Sequence, residues 1–424
     1  MPTQTSPTIS RVLPDGTLID LVFDAEAGST AFAVCPPTGE QTLVDQFAMP
    51  DGEMLVPYAA TNNLLTSGCV LLPSGLGDLP GKAELLADLK AFIHRYVGFS
   101  PVFEDIASHY ILLSWVYDKF NEVPYLRLAG EYGSGKTRAL LVLGSLAYKG
   151  FFASGASTVS PIFHVLHEFG GTLVLDEADL RFSDATADLV KILNNGTMKG
   201  LPVLRTMTNR YRELNPQAFR VFGPKIVAMR ESFRDEALES RFLTEHMNQC
   251  AMRDDIPVYL PDTMKVEAQH LRNRLLAWRF AVRRQVRIDP ARAVPGLSPR
   301  SNQMALPLLS LVDDPELRDA IAARLAMGEA RAAAKRASLP HVAMARVLER
   351  LFRQSPYVPV AAVAEAFNAQ SDSTLPIKSV GHIIRRELGL ATMKTRGVYV
   401  VPSAERGKVV ALMARYATPT SHPE

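Results

Sequence analysis

Apolar and polar residues change rhythm four times along this chain of 424 residues, and each change predicts a different kind of structure. At first, short apolar stretches alternate with turn formers such as Leu13-Pro14-Asp15-Gly16, Pro36-Pro37-Thr38-Gly39 and Pro50-Asp51-Gly52, which predicts a small β-rich unit over residues 1–80. From Lys82 the apolar positions recur with a helical period, in Ala83 to Lys90 and again in Ile106 to Trp115, giving a helical lead-in over 81–120. Largely apolar runs follow at Tyr125 to Ala129, Thr172 to Leu175 and Lys225 to Met229. They read as buried strands of a parallel sheet, so 121–250 is predicted to be an α/β core. A helix-rich stretch over 251–337 includes an Ala/Arg segment, Ala326 to Arg336, that reads as a solvated helical connector.

Residues 338–402 have their own logic. Amphipathic helices are predicted at Val342 to Phe352 and Val360 to Phe367, then a polar loop at Asn368 to Pro376 and a third helix from Ile377 to Leu388, stopped by Gly389. Ala391 to Val401 reads as a β-hairpin, and three helices closed by a hairpin describe a winged helix-turn-helix, with 403–424 left as a C-terminal tail. The third helix exposes Lys378, His382, Arg385 and Arg386, and the hairpin tip carries Lys394 and Arg396. Cations at both places suit a recognition helix in a major groove with a wing beside the backbone. A winged helix that docks to protein fits the same pattern, and the residues leave both readings open.

The clearest chemistry sits in Gly130-Glu131-Tyr132-Gly133-Ser134-Gly135-Lys136-Thr137, a complete G-x-x-x-x-G-K-[ST] phosphate loop between a predicted strand and a predicted helix. That order lets successive backbone N–H groups and a helix N-terminus converge on a triphosphate. Lys136 is expected to reach the β- and γ-phosphates of ATP and Thr137 to ligate Mg²⁺, with Gly130, Gly133, Ser134, Gly135 and Arg138 as the further nucleotide-binding candidates. Some forty residues on, the apolar run 172–175 ends in Asp176-Glu177. An acid at the tip of a central parallel strand lies at the sheet edge where ligands bind. Asp176 is the second candidate for holding Mg²⁺ and Glu177 the candidate for polarising the attacking water, so the pair implies hydrolysis.

Composition changes this picture little. Hydrophobic content of 47% and charged content of 21% are ordinary for a globular protein, and a formal net charge of +2 means that any nucleic-acid surface must be local. Cys35, Cys69 and Cys250 lack metal-ligand spacing and suit a reducing cytosol. No apolar run approaches a membrane span, so the chain is expected to be cytoplasmic, without a membrane partner.

After Glu177, the apolar run Lys225 to Met229 leads through Arg230 to Leu238-Glu239-Ser240-Arg241-Phe242. This resembles the AAA+ superfamily, in which a sensor strand leads through a short helix to a box carrying an arginine finger. It is most similar in flavour to minichromosome-maintenance and superfamily 3 helicases, and to helicase-like ATPases of prokaryotes, phages and mobile elements in which a winged helix follows the ATPase. The resemblance covers about 121 to 312 and extends to the winged helix. It implies an AAA+ core with a helical lid and makes Arg241 the finger that reaches a neighbouring subunit's γ-phosphate, with Arg234 in reserve. Where the family usually places Asn or Thr, this chain has Met229-Arg230, so either Arg230 senses the γ-phosphate or Asn194 orients the water. Arg300 resembles the second sensor arginine of the lid, with Arg272 as competitor. Leu201 to Met207 and Phe219 to Phe222 read as arms of a hairpin whose tip, with Arg210, Tyr211 and Arg212, would grip single-stranded nucleic acid in the ring channel.

The resemblance therefore implies an ATPase ring, a hexamer, around DNA: a replicative helicase or helicase-like protein, with the N-terminal unit open to a replication partner. A DNA-bound AAA+ switch without unwinding, such as an initiator, loader or transposition helper, stays open, as does an ATP-driven protein remodeller. Asp176-Glu177-Ala178-Asp179 spells the box of one superfamily 2 helicase group, whose later arginine motif is missing. The Ser-Gly-Gly-Gln box of transporter ATPases is missing too, as is the aromatic-Val-Gly pore loop of protein unfoldases between Lys136 and Asp176.

Overall fold

The structure, a computed structural model, describes residues 5–155, 157–176, 184–208, 214–230, 233, 236–249, 253–337, 339–370 and 374–416. Two compact units emerge, one of residues 1–294 with 298–322 and one of 295–297 with 323–424.

The first unit opens with β1 (Thr5–Thr8), followed by an antiparallel sheet of β2 (Ser10–Val12), β3 (Leu18–Asp24), β4 (Ser29–Cys35) and β5 (Thr42–Val44). Then β6 (Phe47–Ala48) and β7 (Met54–Pro57) pair into a second sheet in which β1 runs parallel to β7. Asp15 makes the first tight turn by accepting from both the amide and the hydroxyl of Thr17 at 2.8 Å. The inner face of these strands needs a partner, and it finds one beyond residue 80. Ile19, Leu21, Phe32 and Val34 share one core with Phe151, Phe163, Leu166 and Phe169. The expected N-terminal unit is thus β-rich but not separate, because its apolar face is buried on the α/β core.

After α1 (Asn63–Thr66), residues 69–71 run beside the outer strand of the central sheet, where Leu71 donates to Gly150 O at 2.9 Å and Phe152 to Cys69 O at 3.1 Å. This covers an edge that would otherwise be open. The lead-in is α2 (Lys82–Tyr96) and α3 (Pro101–Val116); α3 is buried almost all round, with Glu104, Ser108 and His109 enclosed among its apolar residues.

The central elements are β8 (Tyr125–Ala129), α4 (Lys136–Leu146), β9 (Phe151–Ser154), α5 (Val159–Glu168), β10 (Leu173–Asp176) and α6 (Asp184–Asn195). A hairpin of β11 (Val203–Thr208) and β12 (Leu214–Phe219) follows, then β13 (Lys225–Met229), α7 (Glu236–Glu239) and β14 (Phe242–His246). Five strands form a parallel sheet in the order β14-β8-β13-β10-β9. The hairpin's second arm is 214–219, not 219–222 as the pattern suggested. Val203 and Phe219 pair directly and are both buried, which anchors the ladder there, while Arg220 leaves it to bond His167.

The helices α8 (Asp262–Val282), α9 (Pro299–Leu309) and α10 (Pro315–Ala337) come next, and the division between the two units falls within α10. A buried charge network ties α8 to the N-terminal strands. Arg279 bonds Asp20 at 3.1 Å and Asp118 at 3.0 Å, Arg283 bonds Asp118 at 2.8 Å, and Tyr148 donates to Asp20. Burial pushes the Asp118 carboxyl up, but Arg279 and Arg283 outweigh it and hold it well below the usual carboxylate range. Lys149 Nζ also lies 3.6 Å from Asp20, so removing Asp20 leaves Arg279 and Lys149 underpaired in this dry site. Asp20→Ala is expected to destabilise the first unit by about 3 kcal/mol, measurable in urea; a change within experimental error would show that the network carries no stability.

In the second unit, α11 (Pro340–Phe352), β15 (Tyr357–Pro359), α12 (Val360–Asn368), α13 (Ile377–Arg386), β16 (Met393–Thr395) and β17 (Val398–Pro402) surround a core that includes Val347, Leu348, Val363, Phe367, Ile384 and Val401. Strand order is β15-β17-β16, and Arg396 (φ 50°) and Gly397 (φ 84°) make the two-residue turn between β16 and β17. The expected tail is instead partly structured: α14 (Arg406–Tyr416) packs on the same core through Val409 and Leu412.

Candidate functional site

All five parallel strands deliver their C-terminal ends to one edge, and β8 runs there into the loop 130–135. Gly133 (φ 77°) and Gly135 (φ 84°) hold left-handed backbone that lets the chain turn tightly into α4. Gly130 allows a close approach, since a Cβ there would lie 2.7 Å from Ser134 Oγ and 2.8 Å from Asn248 Oδ1. Ser134 Oγ donates to Glu131 O at 2.8 Å, and Lys136 Nζ folds back to donate to Gly130 O at 2.7 Å and Glu131 O at 2.6 Å. From beyond β14, Asn248 Oδ1 accepts from Glu131 N at 3.0 Å and braces the loop.

Arg138, expected among the nucleotide-binding residues, has a different task in this chain. Its guanidinium donates to Pro257 O at 2.6 Å and to Val258 O, strapping that segment to the first turn of α4. The strap displays large side chains beside the loop: Val258 is 95% and Tyr259 74% exposed, and Tyr132 on the loop itself is 90% exposed.

The strand order decides the second half of the site. β13 lies between β8 and β10, with Met229 in register with Ala129, so Arg230 emerges at the strand ends between the loop and Asp176. Across that strand Thr137 Oγ1 donates to Asp176 Oδ2 at 2.8 Å, joining two residues thirty-nine positions apart. Glu177, Arg234 and the hairpin-tip residues Arg210, Tyr211 and Arg212 lie outside the described residues.

Three further candidates sit at the opposite, N-terminal edge of the sheet. α6 starts beyond Asp176 and carries its last turn about 18 Å away at the usual helical rise, where Leu193 O accepts from Tyr125 OH at 2.9 Å. Asn194 therefore cannot orient water at the loop of its own chain, and of the two sensor candidates Arg230 alone stands beside it. Arg241 precedes β14 at that same far edge and donates to Leu193 O at 3.0 Å and to Asn194 O. Arg300, exposed in the first turn of α9, is on a helix that Gln303 ties to Glu122 just before β8, at 2.9 Å. Its competitor Arg272 is only 5% exposed and donates to Ser145 O at 2.6 Å and Leu72 O at 3.1 Å. Burial lowers its pKa to about 10. Arg272 joins α8 to α4 and the N-terminal segment instead of facing a nucleotide.

One functional support escaped the sequence reading. Arg127, buried within β8, makes a bidentate pair with Glu239 at 2.5 and 2.8 Å and lies over the Phe242 ring. Glu239 stands two residues before Arg241, so this pair holds the short stretch that carries it. A charged residue inside an apolar strand run was the available signal.

Val380 and Ile384 turn α13 inward, while Lys378, His382, Arg385 and Arg386 are exposed, as are Lys394 and Arg396 on β16 and its turn. Arg385 also reaches Thr392 Oγ1 at 3.3 Å.

No protein-family model matches the chain, and no curated protein does. Solved structures overlap it loosely. The apo C-terminal region of NrS-1 is 11% identical over 91% of this chain and 96% of that one, with a TM-score of 0.39. A full-length MCM homologue from Methanopyrus kandleri is 16% identical over 71% and 68%, with a TM-score of 0.37. JCV helicase is 18% identical over 59% and 61%, with a TM-score of 0.23. Overlaps of this size define neither a family nor a reaction for this chain. Among the described residues no helix is long and apolar enough to cross a membrane.

Proposed function

We propose that this chain is an ATP-hydrolysing motor of the AAA+ type acting on nucleic acid, a ring-forming replicative DNA helicase or helicase-like protein of a phage or mobile element. The observation that carries the reading is the 2.8 Å bond between Thr137 and Asp176 across an interposed strand. A hydroxyl and a carboxylate that converge beside a phosphate loop are hard oxygen donors, the kind Mg²⁺ prefers. Bound ATP with its Mg²⁺ supplies a polarised γ-phosphoryl group. The chain's own residues would do the rest: loop amides and Lys136 hold the phosphates, Thr137 and Asp176 the metal, Glu177 the water, and Arg230 the γ-phosphate side.

Arg241 and Arg300 fit a different role. Both stand at the sheet edge away from their own loop, which suits service to the site of a neighbouring copy, and a closed ring, a hexamer, would supply that neighbour at every site. Val258 and Tyr259, strapped beside the loop, suit the flat face of the nucleobase. The second unit, read as a winged helix, offers α13 to a major groove and the β16–β17 turn to the adjacent backbone, and the β11–β12 hairpin suits a single strand. Electron micrographs with a non-hydrolysable ATP analogue test the ring, and single-stranded DNA stimulation with forked-duplex unwinding tests the motor. A lone particle that turns over ATP at full rate without DNA dependence would end this reading. Arg385→Ala with Arg386→Ala is expected to weaken DNA binding and reduce its log–log salt slope by about 2, leaving DNA-free turnover intact; an unchanged slope would make this unit a protein-docking module.

A further inference from the structure

The far end of α6 is a junction of three parts. Lys225, the first residue of β13, is fully buried, and among the described residues no carboxylate pairs with it. Its Nζ donates to Val221 O at 2.9 Å and Gly223 O at 3.0 Å, both at the exit of the β11–β12 hairpin, and lies 3.4 Å from Gly196 O, just past α6. An apolar side chain could fill that volume but would take this donor from Val221 O and Gly223 O, whereas Gly196 O keeps the Gly223 amide at 3.1 Å. Less than one turn back on the same helix end, Arg241 holds Leu193 O and Asn194 O.

The two cations therefore share one helix terminus. The other ionisable groups facing Lys225 are Tyr125, whose ring centre is 4.8 Å from Nζ, and Tyr110, whose hydroxyl bonds the Lys225 backbone. Burial and then the Arg241 charge push Lys225 down to about 7. Where the Arg241 guanidinium rests thus bears on how firmly Lys225 grips its carbonyls.

We propose that Lys225 is a positioning residue that couples Arg241 to the hairpin. While Arg241 rests on α6 of its own chain, like-charge repulsion weakens the Lys225 grip. When Arg241 turns toward a neighbouring copy's triphosphate, the repulsion falls and Lys225 holds the hairpin exit more firmly on the end of α6, where Gly223 N already donates to Gly196 O at 3.1 Å. The inference rests on the reading that Arg241 serves the neighbour, and it adds the route by which the hairpin senses that event.

The test uses the full chain with Lys225→Met, nearly equal in volume and without donors. Expected is a fall in single-stranded DNA stimulation of ATP turnover by about fivefold or more, with DNA-free turnover changed less than about twofold. A folded Lys225→Met protein with full stimulation overturns the proposal, and so does an equal loss of both rates, which marks a merely structural role. If the variant does not fold, hydrogen exchange of the unaltered protein decides. Segments 193–198 and 219–225 should change protection together when a non-hydrolysable ATP analogue is added, and change in one alone refutes the coupling. The parent reading is checked separately by mixing Arg241→Ala with Glu177→Gln chains: without recovery of turnover, Arg241 does not act in trans and the inference falls with it.

Discussion

Arg241→Ala is expected to lower ATP turnover by about 10³-fold while leaving nucleotide affinity nearly unchanged. The guanidinium would meet charge that develops on the transferring phosphoryl group, so its loss falls on the transition state more than on the bound ground state. The geometry adds a sharper expectation. Arg241 stands before β14, at the edge opposite the loop, and in its own chain bonds the end of α6. A chain with Glu177→Gln keeps its arginine, and a chain with Arg241→Ala keeps the carboxylate proposed to activate water. Mixed together, they should rebuild intact sites at some of their seams and recover part of the turnover that each lacks alone. No recovery at any ratio, with co-assembly shown by light scattering, would place finger and base in the same chain.

The second large effect is expected at the metal side. Asp176→Asn retains an oxygen that can accept the Thr137 hydroxyl, 2.8 Å from Asp176 Oδ2, so the fold should survive while the negative charge is lost. Removing such a fixed charge from a reaction centre is expected to lower turnover by about 10² to 10³-fold, and the Mg²⁺ concentration for half-maximal rate should rise. Titration of turnover against Mg²⁺ checks this. A variant with unaltered Mg²⁺ dependence would remove Asp176 from the metal site and leave it a partner of Thr137 only.

Much of the α/β core could be read along the chain because its signals are local. Gly133 and Gly135 need no distant partner to mark a tight turn, and the apolar runs at 125–129, 172–175 and 225–229 announce buried strands by length alone. The same holds for α13, where an amphipathic period separates Val380 and Ile384 from the exposed Arg385 and Arg386. Misreadings arose where long-range contact overrode a local cue. Arg138 follows the loop in sequence, yet its partners are 119 and 120 residues away. Asn194, a candidate for orienting the water, is carried by α6 to the other edge.

By itself, then, the order of residues determined the strand–loop–helix of 125–146, the acidic strand tip at Asp176 and the amphipathic helices of the second unit, since each is encoded within one or two turns of backbone. Only the tertiary structure decided that β13 inserts between β8 and β10, that the first 80 residues share the core, and that Arg230 and Arg241 stand at opposite edges. Strand order and the sharing of cores depend on burying apolar faces contributed by segments far apart in the chain, and no local pattern records which distant face will be chosen.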